Sequence, residues 1–301
     1  EAGMALFEEA TPLAAAAEDY ALQAELLRRR GGVRFTLGHA DGETCLFESL
    51  ALAEAHGLID HQIEALRDLS TVVRHRGATE DAERHIRRAI ALAEEHDRPG
   101  QLPRARAPLA MILLDAGRPE EARTLLEQCL EDYADGSSRL QLGTVHNALA
   151  GALRALGELE GAQEHYWRAY TLYDEIGSEL SALPRYNVAD IYIVEGRHEE
   201  ARALLDEAMT MLGERPSALM SSYVLSMLVF LDAEQRRVEL LTPHLARLGE
   251  ALEASQLADR AVLAKLSQAQ GLLHARPEGV DPVPLARLDG LVTLQDTRLK
   301  G

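Results

Sequence analysis

The chain has 301 residues, 47% of them hydrophobic but only 4% aromatic, and 31 Lys and Arg against 49 Asp and Glu give a net charge of −18. An apolar fraction made mostly of Ala and Leu favours closely packed helices and excludes strand-rich classes, while the negative charge repels phosphate backbones and argues against nonspecific nucleic-acid binding. No apolar run approaches the roughly 20 residues of a membrane helix, and the N-terminus lacks the basic and apolar regions of a signal peptide, so a soluble cytoplasmic protein with no membrane partner is expected.

The chain begins at Glu1 rather than Met, within an Ala-rich stretch that reads as helix, which suggests a piece of a longer polypeptide. Residues 1–37 read as helical but irregular. Thr11-Pro12 has the form of an N-cap followed by proline at the first helical position, and periodicity runs through Leu13, Tyr20, Leu22, Leu26 and Leu27 to about Arg30. Gly31-Gly32 then predicts a kink or an early helix end.

Residues 38–213 carry a repeat. Gly77, Gly117, Gly157 and Gly196, spaced by 40, 40 and 39 residues, are each followed by Ala at +5, an apolar residue at +9 and a small one at +12: Ala82/Ile86/Ala89, Ala122/Leu126/Cys129, Ala162/Tyr166/Ala169 and Ala201/Leu205/Ala208. Gly38 extends the rhythm one unit upstream. A period of that length means stacked supersecondary units.

Ahead of each glycine, Leu69 and Val73, Leu109 and Leu113, Leu149 and Leu153, and Val188 and Tyr192 form an i, i+4 stripe, with Ser70, Ala110, Ala150 and Ala189 small where a second helix crosses. The glycine ends the first helix by entering the left-handed conformation. Helix pairs are predicted at 19–37/41–55, 58–76/80–96, 99–116/120–134, 138–156/160–175, 178–195/199–213, 217–235/238–254 and 257–275/283–298. Polar linkers such as Asp97–Gly100, Asp135–Ser138 and Ile176–Ser178 read as turns that also cap the next helix.

Over 214–256 the repeat degenerates, since Arg236 stands where glycine is expected and Thr242-Pro243 predicts a late start for the second helix, although Leu241, Leu245 and Leu248 keep the core spacing. Residues 257–301, split by Arg276–Pro282 and ending in Leu285, Leu288, Leu291 and Leu294, read as a capping pair. The whole is one elongated array, counted as a single domain, all-α, with about seven antiparallel helix pairs. Cys45 and Cys129 fall in different repeats, Cys129 at a small core position, and predict reduced thiols.

The order Leu149-Ala150, Leu153, Gly157, Ala162, Tyr166, Ala169 resembles the tetratricopeptide repeat. Two family features are missing: His146 stands at the aromatic position of the first helix, and the closing proline is absent. The 40-residue period exceeds the usual 34 and resembles the arrays of kinesin light chains, LGN-type scaffold proteins, MalT-like activators and some bacterial signalling kinases. The resemblance implies an α-solenoid, a right-handed superhelix whose first helices line a concave groove for a peptide, a helix or a partner domain.

Nothing advertises catalysis, a cofactor or a metal. Gly31-Gly32 and Gly38–Gly42 lack a following Gly-Lys-Ser/Thr, and the eleven histidines form no H-E-x-x-H. His56 and His96 merely repeat at one surface position. The informative residues are those on first helices that the repeat does not dictate: Arg67, Arg74, His75, Arg104, Met111, Asn147, Arg154, Tyr186, Asn187 and Asp190.

The arginines either clamp carboxylates of a partner or pair with neighbours such as Glu64, Asp68 and Asp115. Asn147 and Asn187 match donors and acceptors of an extended peptide. Tyr223, Met227 and Phe230, with Met220, form an apolar stripe that either packs on the next repeat or receives a partner helix. The expected function is a non-catalytic scaffold or signalling interaction module, with a ligand- or partner-sensing regulatory domain of a larger signalling protein as the alternative. The array ends offer a place for a second copy.

Overall fold

A computed structural model describes residues 2–36, 41–133, 138–213, 217–255, 259–275 and 282–300. Among these residues there are fifteen α-helices, two 3-10 turns and no strand. The chain divides into two compact units, residues 1–137 and 138–301.

The first unit holds α1 (Ala2–Ala16), α2 (Tyr20–Thr36), α3 (Gly42–Ala55), α4 (Ile59–His75), α5 (Thr79–Glu95), α6 (Leu102–Asp115) and α7 (Pro119–Asp132). The second holds α8 (Arg139–Ala155), α9 (Leu159–Asp174), α10 (Ala182–Val194), α11 (His198–Leu212), α12 (Ala218–Gln235), α13 (Val238–Ser255), α14 (Arg260–Ala275) and α15 (Pro282–Lys300). From α2 onward the helices pack in seven consecutive pairs. In front of α6 and α10 the predicted helix starts are 3-10 turns, Pro99–Gln101 and Glu179–Ser181.

The repeat glycines do what the period requires. Gly77, Gly117, Gly157 and Gly196 have φ of 84, 72, 82 and 76°. The amide of each following residue reaches back to the carbonyl five residues earlier: Ala78 to Val73, Arg118 to Leu113, Glu158 to Leu153 and Arg197 to Tyr192. This is a Schellman cap, which satisfies carbonyls that the helix end leaves open. At the degenerate repeat Arg236 takes the same left-handed conformation, φ 57°, and Arg237 donates to Asp232. A non-glycine residue holds the turn there.

Each pair closes over the predicted core. Ser70, Ala110, Ala150 and Ala189 on the first helices are fully buried, as are Ile86, Leu126, Tyr166 and Leu205 on the second. Each fully buried aliphatic side chain contributes on the order of 1.5–3 kcal/mol. Cys129 lies in that layer and Cys45 is buried too; both are free thiols, and burial pushes Cys129 up to about 12. In the last pair α14 buries one stripe, Val262, Leu266, Ala269 and Leu273, and leaves Ala264, Gln268 and Leu272 in solvent.

Four local expectations are corrected. Thr11-Pro12 does not start a helix: α1 runs through it, the Thr11 hydroxyl donates to the Phe7 carbonyl at 2.6 Å, and the break falls at 17–19, where Asp19 caps α2 through the Leu22 amide. Gly31-Gly32 does not end α2. A Cβ on Gly31 would lie 2.8 Å from the Gly42 carbonyl oxygen, so the glycine permits a close crossing of α2 and α3.

Pro243 sits inside α13 rather than before it, because full burial of Leu241, Leu245 and Leu248 outweighs the ~3 kcal/mol that an interior proline costs. The linkers cap unevenly. The Ser178 hydroxyl accepts from the Leu180 amide, whereas Ser138 makes no side-chain bond to α8. Gly38, most of the Gly38–Gly42 turn, residues 135–137 and residues 276–281 lie outside the described residues.

Candidate partner-binding face

In the first unit the predicted residues sit on α4 and α6, one turn or less from the stripe that packs the core. Arg67 is half-buried, with its guanidinium 3.2 Å from Asp68 Oδ1; the other Asp68 oxygen is taken by Arg28 of α2 at 2.5 Å, and Glu64 also faces Arg28 at 3.4 Å. Arg74 crosses from α4 to Asp115 at the end of α6, 2.9 Å away. His75 has its ring against Phe35, with centroids 5.6 Å apart, and its Nε2 is 3.4 Å from Arg74.

Met111 is half-buried. Arg104 is exposed, makes no ion pair among the described residues, and contributes with Arg67 to the field at the Tyr133 phenol, which burial pushes up. Two of the predicted arginines therefore pair with neighbouring acids, as the simpler reading holds. Arg104 is the cation of this face left to solvent.

In the second unit the predicted residues are joined to one another. Asn187 of α10 donates from its amide to the Asn147 oxygen on α8, 3.2 Å away, so equivalent positions of successive repeats form an amide ladder. Arg154 of α8 pairs with Asp190 of α10 at 2.8 Å, and the second Asp190 oxygen accepts from Lys265 of α14 at 2.6 Å. The Lys265 ammonium also stands 4.8 Å from the centre of the Phe230 ring on α12, within cation–π range.

Tyr186 of α10 and Tyr223 of α12 meet with centroids 5.9 Å apart. The Tyr223 hydroxyl donates to Asp259 Oδ2 at 2.6 Å, while Asp259 Oδ1 accepts the Ala261 and Val262 amides that open α14. Burial, with Asp190 and Asp259 near, pushes the Tyr186 phenol up, so it stays a neutral group.

The apolar stripe of α12 divides. Met227 and Met220 are buried in the core of the second unit and present no surface to a partner. Tyr223 and Phe230 are partly buried and packed on that core. The face opposite the α10–α11 core thus meets the next repeat, α14, as the simpler sequence reading holds.

Several of the charged groups that tie these helices together escape sequence reading. Lys265 and Asp259 lie in a terminal unit that the repeat does not register with the others, and no local pattern ties Lys265 to Asp190, 75 residues away. Asp232 carried a legible signal: it stands four residues before the turn, where earlier repeats have Val73, Leu113, Leu153 and Tyr192. Its carboxylate is fully buried between Arg202 of α11 and His244 of α13, each 2.6 Å away.

His146, at the position of the missing aromatic, faces His165 with Nδ1 atoms 2.9 Å apart, and burial first, then His165, pushes it down to about 4. Among the described residues no group of three or more His, Cys, Asp or Glu is placed to hold a metal, and no helix is long and apolar enough to cross a membrane.

No curated protein sequence matches the chain. The family description "Tetratricopeptide repeat" matches residues 103–175, which span α6 to α9, and again residues 182–207 in α10 and α11. Among solved structures the chain is similar to a Rap protein complexed with competence and sporulation factor, with a TM-score of 0.64 and 14% identity over 92% of this chain and 75% of that one. It is also similar to the apo form of RapI, with a TM-score of 0.63 and 12% identity over 92% of this chain and 98% of that one. At these identities the likeness is one of fold, an all-α solenoid. The repeat period, the Schellman turns, the buried small-residue crossings and the family matches agree: residues 103–175 and 182–207 are tetratricopeptide-type repeats, and the fold of the chain is a tetratricopeptide-like helical-repeat solenoid.

Proposed function

We propose that this protein is a non-catalytic interaction module, and that the first-helix face of its second unit binds an extended peptide or partner segment. The observation that carries the reading is the Asn147–Asn187 ladder beside the Arg154–Asp190 pair. These side chains satisfy one another rather than the core, and the ladder keeps Asn147 N–H and Asn187 carbonyl capacity for a backbone laid across it. Tyr223 and Phe230 supply apolar edges next to the polar row, the mix that peptide-binding surfaces use. The fold offers a parallel, since the similar Rap protein was solved in complex with competence and sporulation factor. The exposed Arg104 of the first unit is a separate contact point for an acidic partner.

A bead-displayed library of random pentapeptides tests the reading. The full chain should retain peptides, and the Asn147→Ala/Asn187→Ala variant should bind them at least tenfold more weakly at unchanged helicity, since each lost hydrogen bond is worth about 1 kcal/mol. Arg104→Glu probes the first unit in the same assay. Retention of no peptide by the full chain, or equal binding by the double asparagine variant, would remove this face from the proposal.

A further inference from the structure

Among the described residues Asp190 is the one carboxylate on this face shared by cations from two other helices, Arg154 from α8 and Lys265 from α14. Its neighbour Asp259 is committed elsewhere: one oxygen holds the first amides of α14 and the other holds the Tyr223 hydroxyl. The helix dipole at the N-terminus of α14 offsets part of the Asp259 charge. Within the Arg154–Asp190–Lys265 group two cations face one carboxylate, an excess of positive charge in a chain that is −18 overall.

The group also makes a mechanical link. Helix α14 packs chiefly on α12, yet Lys265 passes the Phe230 ring of α12 to reach Asp190 of α10. Lys265 is one of only two lysines in the sequence, the other being Lys300, among cations that are otherwise all arginine. An ammonium suits this post better than a guanidinium, for it is a compact point charge that changes partner without the planar two-bond fit an arginine demands.

From this geometry we infer that Asp190 is an internal stand-in for an acidic side chain of the bound peptide: a ligand Asp or Glu takes its place between Arg154 and Lys265, and in doing so unties α14 from α10. The inference rests on the reading of this face as the peptide-binding one. Exchange of one carboxylate for another conserves charge and hydrogen bonds, so the chemistry of the swap is balanced, and the ligand's other contacts drive it.

Two measurements on the full chain decide it. Pentapeptides selected from the bead library by the wild-type chain should share an Asp or Glu at one position, and Lys265→Met should lose that preference while still retaining peptides. Asp190→Asn, which keeps the shape and removes the competing charge, should bind the selected acidic peptides about tenfold more tightly. Without ligand, it should exchange the amides of residues 260–275 at least threefold faster than wild type. Peptides selected without an acidic preference, a preference that survives Lys265→Met, or unchanged exchange in Asp190→Asn would overturn the inference and leave the peptide-binding reading standing. Failure to retain any peptide would overturn both. If Asp190→Asn does not fold, the acidic preference in Lys265→Met decides alone.

Discussion

Asp232→Ala should be among the most destabilising single substitutions in this chain. The carboxylate is fully buried at a site where the other repeats place Val73, Leu113, Leu153 or Tyr192, and it is held at 2.6 Å by Arg202 on one side and His244 on the other. Removing it leaves the Arg202 guanidinium, itself only 9% exposed, with Gln235 Oε1 at 3.2 Å as its remaining side-chain partner among the described residues. Its Nε is already buried without a hydrogen bond.

Breaking a buried pair from one side costs about 3–5 kcal/mol, because the other charge stays in a poorly solvating site. Replacing both members by apolar residues is a different matter, often neutral or stabilising by about 1–4 kcal/mol. The paired variant Asp232→Leu/Arg202→Met should therefore recover most or all of the loss. Urea unfolding followed by circular dichroism and by the emission of the single tryptophan, Trp167 in the same unit, measures both variants. Two probes are needed because a repeat array can unfold in parts. A loss under about 1 kcal/mol for Asp232→Ala, or a double variant as unstable as the single one, would refute the reasoning.

The glycines of α2 give a matched pair. Gly31→Ala should destabilise by about 1–3 kcal/mol, since its Cβ would strike the Gly42 backbone, whereas Gly32→Ala meets nothing within 4 Å and should stabilise by about 0.5–1 kcal/mol through helix propensity; thermal melts of both report the sign. His146 should make stability fall on acidification. Its folded value lies below the ordinary one, so between about pH 6.5 and about 4 the unfolded chain binds the proton first and the folded state loses ground. His146→Gln should show a shallower decline over that range in urea titrations at several pH values, by on the order of 1 kcal/mol after allowing for partial exposure. Parallel curves would exclude a role for this imidazole.

Much of the architecture was legible because it repeats. The distance between glycines is set by two helices and two turns, and the small residues at each crossing follow from how closely helices must approach, so period and composition together specify seven pairs. The misreadings share one cause. Thr11-Pro12, Gly31-Gly32 and Thr242-Pro243 each look like helix punctuation locally, but burial of Ala14, Leu46 and Leu241 around them outweighs the local preference.

The candidate face was legible only as a set of positions. Freedom from the repeat marks Asn147, Arg154, Asn187 and Asp190 as positions the core does not dictate, and a 40-residue interval places Asn147 and Asn187 side by side. Which acid each arginine takes, that Met227 belongs to the core, and that Lys265 reaches across α12 to Asp190 were settled by packing. Sequence alone determined the repeat, its turns and its core, because those depend on spacing along one chain. The ion pairs and the face they form were decided by tertiary structure, since charges interact through space and their partners lie one or two repeats away.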